Sequence, residues 1–229
     1  MYKRCISLRP NVFTVASPGQ PSGELSKPKA ADLLQMNQRG ISLLLDSGYL
    51  PDLEIGRIMR LAGRPILATD GNQPVLRQAA ARPAPVDERS DPSGRRRAFV
   101  GDSAQLSDID VVEADRMWWR SDPDTVCEAE LLPVTLAWFP VTVLKILGAD
   151  GGPDRVVRPK KAGGSREFVE VRHAYKAELA GRVRQLGSPE LDYIAPNLSP
   201  AEQETVRIFL ESRSTARSGG PIAYLPKRP

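Results

Sequence analysis

Histidine and cysteine are nearly missing from this chain, which holds one histidine, His173, and two cysteines, Cys5 and Cys127. One imidazole excludes the zinc sites that gather several histidines. Two distant cysteines cannot form the disulfide framework on which small secreted domains depend, so a reducing cytoplasm is the expected compartment. A Cys127/His173 nucleophile pair finds no support in the local sequence, and His173 reads as a hydrogen-bonded structural residue. No P-loop, dinucleotide fingerprint, G-x-S-x-G elbow or C-x-x-C occurs, which removes most familiar cofactor enzymes. The most apolar run, 131–147, is interrupted by Pro133, Pro140 and Lys145 and falls short of the roughly 20 residues a membrane helix needs. Near the start, Arg9 and Pro10 break the stretch after Lys3 and Arg4, so no signal peptide is expected.

What is abundant is charge, and it is segregated. Residues 101–130 carry nine acids against Arg116 and Arg120, a net of −7, while the rest of the chain nets +11. Like charges crowded on one surface repel, so a block of this kind asks for a counterweight: a metal, the chain's own arginines, or a partner. A pI near 9.2 favours anionic partners. With 229 residues, 41% of them hydrophobic, the chain can bury a substantial core. Its 21 prolines exceed the average usage of roughly 5% and point to many connections.

Periodicity suggests an α+β protein: a mostly antiparallel sheet with two C-terminal helices and a small helical N-terminal part. Residues 2–16 read as one or two short strands. A helix is expected over 29–47, stopping at Gly48, and a second over 51–63, from Pro51 to Gly63. Residues 71–98 are rich in Pro, Ala, Arg, Asp and Ser with little apolar periodicity, and read as a flexible basic linker or long loop ending in Arg95, Arg96 and Arg97. The expected division is therefore a strand and helical part over 1–70, the linker over 71–98, and an α+β domain over 99–229. Within the last, strands are read at 99–100, 106–112, 125–132, 134–147, 154–158 and 166–172. A helix is read over 174–186. A final helix begins at a capping box made by Ser199 and Glu202, with Pro200 at its first position.

Three groups of residues suggest chemistry. On a strand over 106–112, Asp108 and Asp110 would share one face, and Glu128 and Glu130 would repeat the pattern on the next strand. Four such acids suit one or two Mg²⁺ or Mn²⁺ ions and phosphoryl transfer of a nuclease or nucleotidyltransferase-like kind. Solvated acids on an amphipathic strand are the commoner outcome, and Asp115 stands where a nuclease would carry lysine. Next, Trp118 and Trp119 between Arg116 and Arg120 suit core packing or an interface better than base stacking. Last, Arg95, Arg96, Arg97, Arg158, Lys160 and Lys161 supply phosphate contacts of a sequence-independent kind. Arg57, Arg60 and Arg64 on the second helix give residues 43–63 a helix-turn-helix outline.

Composition and the missing catalytic motifs together favour a non-enzymatic, cytoplasmic nucleic-acid-binding protein without cofactor, a subunit of a larger assembly. The alternatives are the Mg²⁺- or Mn²⁺-dependent phosphoryl-transfer enzyme on Asp108 and Asp110, and a scaffold assembled through charge-complementary contacts with itself or a protein partner.

Overall fold

A computed structural model describes residues 23–89, 96–151, 155–157, 170–188, 192–216 and 220–228. The strands expected over 2–16, and Cys5, Arg95, Arg158, Lys160 and Lys161, lie outside the described residues. Three helices open the described chain: α1 (Lys27–Leu34), α2 (Gln38–Asp46) and α3 (Ile55–Ala62). They are followed by β1 (Pro74–Gln78), β2 (Arg82–Pro83), α4 (Val86–Arg89), β3 (Phe99–Val100), α5 (Asp108–Asp115), β4 (Met117–Trp119) and α6 (Pro123–Glu128). Then come β5 (Leu131–Leu136), β6 (Phe139–Ala149), β7 (Arg155–Val157), β8 (Glu170–Arg182), β9 (Tyr193–Ile194), α7 (Pro200–Leu210) and β10 (Ile222–Tyr224).

The main sheet runs β10-β1-β5-β6-β8-β4, with β7 and β9 also paired to β8, and β2 and β3 form a separate pair. β5 is buried at every position, as expected of a central strand covered on both faces. On one face α1, α2, α3 and α7 pack over Val75, Phe139, Val141, Val143 and Ala180. On the other, Leu76, Leu132, Val134, Leu144, Ile146 and Tyr175 meet Val126 of α6 and Trp119. The first core joins residues from Ala30 to Leu225, so both ends of the described chain share it.

The mostly antiparallel α+β expectation is overturned. The sheet is mixed, because β1 runs parallel to β5 in the register Leu76 to Val134. Among the described residues the C-terminal part has one long helix rather than two, since residues 174–186, with Leu179, Val183 and Leu186 at helical spacing, lie largely in β8. Cross-strand pairing with β6, from Thr142↔Arg182 to Ala149↔Tyr175, overrides that spacing. The strand expected at 106–112 is instead helix α5, because the Ser107 side chain accepts the Asp110 amide and Asp108 and Asp110 fill the first turn, where acids are favoured. The strand expected over 125–132 begins as α6, capped by Asp122 with Pro123 in its first turn. Residues 74–78, read as part of a flexible linker, form β1. The single helix expected over 29–47 is two, broken where Gln35 turns left-handed (φ 56°) and Asn37 caps α2 by accepting the Gly40 amide at 2.9 Å. The capping box on Ser199 and Glu202 is formed.

Candidate functional site

Two places concentrate polar side chains, one inside the protein and one on its surface. The interior group begins at Gly101. Its φ of +94° and the carbonyl oxygens of Ala79 and Ala80, within 2.7 Å of where a Cβ would stand, leave room for glycine alone. The turn delivers Asp102 into the interior, fully buried. One carboxylate oxygen of Asp102 accepts from the Tyr49 hydroxyl at 2.8 Å and the Ser103 amide at 2.6 Å, and the other accepts from Thr142 Oγ1 at 3.0 Å. Arg182, at the end of β8 and 1% exposed, donates to the Leu106 carbonyl at 2.9 Å, the Ser103 carbonyl at 2.8 Å and Asp108 at 2.7 Å. Arg184 shares Asp108 at 2.9 Å.

Asp115, at the end of α5, is also fully buried. Strand alternation puts Gln78 on the Leu76 face of β1, and its amide donates to Asp115 Oδ1 at 2.6 Å. Asp115 Oδ2 has no hydrogen-bond partner among the described residues. Burial pushes both carboxyls upward from the usual aspartate range, and for Asp115 the Asp102 charge adds to the effect. Three donors favour the ionised form of Asp102, whereas Asp115 has one, so Asp115 keeps its proton to the higher pH. Beside them Arg97 is buried against Glu88 at 2.6 Å, donates to the Ala114 carbonyl at 3.1 Å and to the Met117 carbonyl, and lies 5.3 Å from the Trp119 ring centre.

These contacts place the acids singled out by sequence. Asp108 is the counter-ion of Arg182 and Arg184, and Asp110 accepts the Ser107 hydroxyl at 2.6 Å. Glu128 ends α6 and Glu130 sits left-handed (φ 57°) before β5, both exposed. The shared strand faces that would have gathered the four acids do not exist. Among the described residues no group of three or more His, Cys, Asp or Glu is arranged to hold a metal ion. Trp118 and Trp119 are buried, so neither offers a stacking face. Cys127 is half-buried and its thiol is pushed up by burial first and Asp124 second, the opposite of what activates a nucleophile. Arg57 and Arg60 bind the Leu186 and Gly187 carbonyls and Arg64 that of Leu210, so these guanidiniums join the helices to the rest of the fold.

The surface group was not visible in the sequence. A cleft of about 410 Å³ opens between the start of α2, the end of β1 and the β5–β6 turn, and Asn37, Arg39, Arg77, Gln78, Thr135 and Trp138 are among the residues lining it. Arg77 lies on the Val75 face of β1, the side on which α2 packs, and both Arg77 and Arg39 are exposed. Gly40 lets the turn approach α2, because a Cβ there would lie 3.4 Å from Ala137 Cβ and 3.1 Å from Met36 Sδ. The turn itself is two residues, Ala137 and Trp138, between the paired Leu136 and Phe139. Both have positive φ, 44° and 81°, in positions that normally take Asn or Gly. Without those residues the sequence carries no turn signal, which is why 134–147 reads as one strand.

A scan against models of protein families, and searches of curated proteins and of solved structures, found no match to this chain. Among the described residues no helix is long and apolar enough to cross a membrane.

Proposed function

We propose that the protein binds nucleic acid, without catalysis and as part of a larger cytoplasmic assembly, and that the cleft beside α2 carries the contact. The observation behind this reading is the meeting of two exposed arginines, Arg39 and Arg77, with a half-buried tryptophan, Trp138, around one 410 Å³ cleft. Guanidiniums suit phosphate oxygens through charge and a planar fork of donors. A cleft of this size lies in the range used for ligands, and the basic balance of the chain adds long-range attraction for a polyanion. Arg96, exposed, remains a phosphate contact under this reading, whereas Arg97 is held inside by Glu88. The cytoplasmic assignment rests on the scarce cysteines.

The test is fluorescence anisotropy with labelled oligonucleotides across a salt series. Binding should weaken linearly in log salt, and Arg39→Ala with Arg77→Ala should reduce that slope by about 2. No binding at low salt, or binding indifferent to salt, overturns the reading.

A further inference from the structure

We infer that the outer edge of β8, between β4 and β9, receives an extended segment of a protein partner in which a Lys or Arg stands between two aliphatic residues; this does not depend on the nucleic-acid reading above. β8 pairs with β6 along one edge, from Tyr175 to Arg182. On the other edge β4 meets His173 and Ala174, and β9 meets Gly181 and Arg182. The Tyr175 amide donates to the Arg116 carbonyl at 2.9 Å and the Ala180 carbonyl accepts the Ala195 amide at 2.9 Å, which closes the two ends. Among the described residues no strand pairs with 176–179 on that edge.

The direction of the free backbone groups follows from β6. The Ile146 amide donates to the Glu130 carbonyl at 2.6 Å, on the β5 side, so Ile146 turns its backbone groups away from β8. Its cross-strand neighbour Ala177 therefore sends its N–H and C=O outward, and strand alternation does the same for Leu179. Outward donors and acceptors spaced two residues apart are half of a ladder, and an extended chain completes it. An antiparallel segment would set its first and third residues opposite Leu179 and Ala177 and its middle residue opposite Glu178.

The two faces of the edge differ in chemistry. Ala177 and Val112 pack on the same core, and beside them a groove of about 250 Å³ is lined by Ile109, Val112 and Leu179, with Asp108 and Glu113. Ile109 is 77% exposed, so the fold leaves this apolar surface for aliphatic side chains at the first and third positions. The opposite face carries exposed Glu178. Its cross-strand neighbour Lys145 is bound to Glu202 at 2.7 Å, which leaves Glu178 to a base on the middle residue. Lys176, also exposed, lies beyond the end of such a segment.

Amide NMR on the full ¹⁵N-labelled chain, titrated with the peptide acetyl-Ser-Val-Lys-Val-Ser-amide, tests the inference. The Ala177 and Leu179 amide signals should shift. Methylating the backbone nitrogens of both valines keeps the side chains but removes the donors, and should weaken binding about ten-fold or more. Ala177→Pro removes one outward N–H while sparing the bonds to β6, and should weaken binding by about the same factor. Ile109→Ser, at an exposed position, should weaken it about five-fold, so a folding defect in the proline variant does not decide the result. No binding at millimolar peptide, equal binding of the methylated peptide, or shifts confined to residues away from β8 and α5 overturns the inference. Self-association of the chain in light scattering, abolished by Ala177→Pro, seats a second copy on this edge and overturns the partner segment.

Discussion

Arg97 and Arg39 are the same residue type in opposite circumstances. Arg97 closes a buried network in which guanidinium, Glu88 and backbone carbonyls satisfy one another. Arg39 stands exposed at the rim of a cleft with Arg77 and Trp138. The difference teaches that a run of basic residues says nothing about binding until burial is known. In the interior, charge binds elements of the fold together; at the cleft, exposed arginines, a half-buried tryptophan and a turn at positive φ meet.

The largest expected effect breaks the interior side of that contrast. Arg97→Leu takes the 2.6 Å ion pair away from the buried Glu88 carboxylate and should cost about 3–5 kcal/mol in urea unfolding. Adding Glu88→Leu should recover much of the loss, because it removes the buried charge that lost this ion pair. A stable Arg97→Leu protein that binds nucleic acid poorly would place Arg97 with the cleft instead.

A second prediction concerns pH. Asp115 has its folded pKa raised by burial and by Asp102, so between the ordinary value of 3.8 and the folded value the folded state binds more protons than the unfolded one. This contribution is full below 3.8 and is lost as pH rises toward the folded pKa; its slope approaches about 1.4 kcal/mol per pH unit inside that window. Asp115→Asn should flatten the decline in melting temperature on the alkaline side of pH 4. An unchanged pH profile would show that Asp115 is ionised in the folded protein.

At the cleft, Arg39→Ala should change unfolding stability by only about 0.5 kcal/mol while weakening nucleic-acid binding, the reverse of Arg97→Leu. A stability loss as large as that of Arg97→Leu would erase the distinction between the two regions. The smallest effect is expected from Ala137→Gly. An alanine-to-glycine change ordinarily destabilises, but at φ 44° the relief of the backbone offsets the entropy and the lost methyl, and the net change should stay within about 1 kcal/mol by thermal melting. A loss well beyond that would show that the turn is not strained.

Legibility in the sequence was uneven for physical reasons. Ser199 and Glu202 announced α7 because both halves of a capping box lie within four residues. Ser107 and Asp110 carried a similar signal for α5, yet the alternation of Asp108, Ile109, Asp110 and Val111 concealed it, since short segments fit both periods. The cleft was illegible. Arg39, Arg77 and Trp138 lie far apart in the chain, and Ala137-Trp138 lacks the Asn or Gly by which a tight turn declares itself.

By itself the sequence determined the segregation of charge, the apolar runs that become β5 and β6, and the caps that start helices, because these depend on neighbours a few residues apart. The tertiary structure alone decided that residues 174–182 extend as β8 rather than coil, that Arg97 and Arg182 lie inside while Arg39 and Arg77 stay outside, and that Asp108 pairs with Arg182 and Arg184. Each of those outcomes depends on partners dozens of residues away, whose pairing and burial outweigh the small energies of local preference.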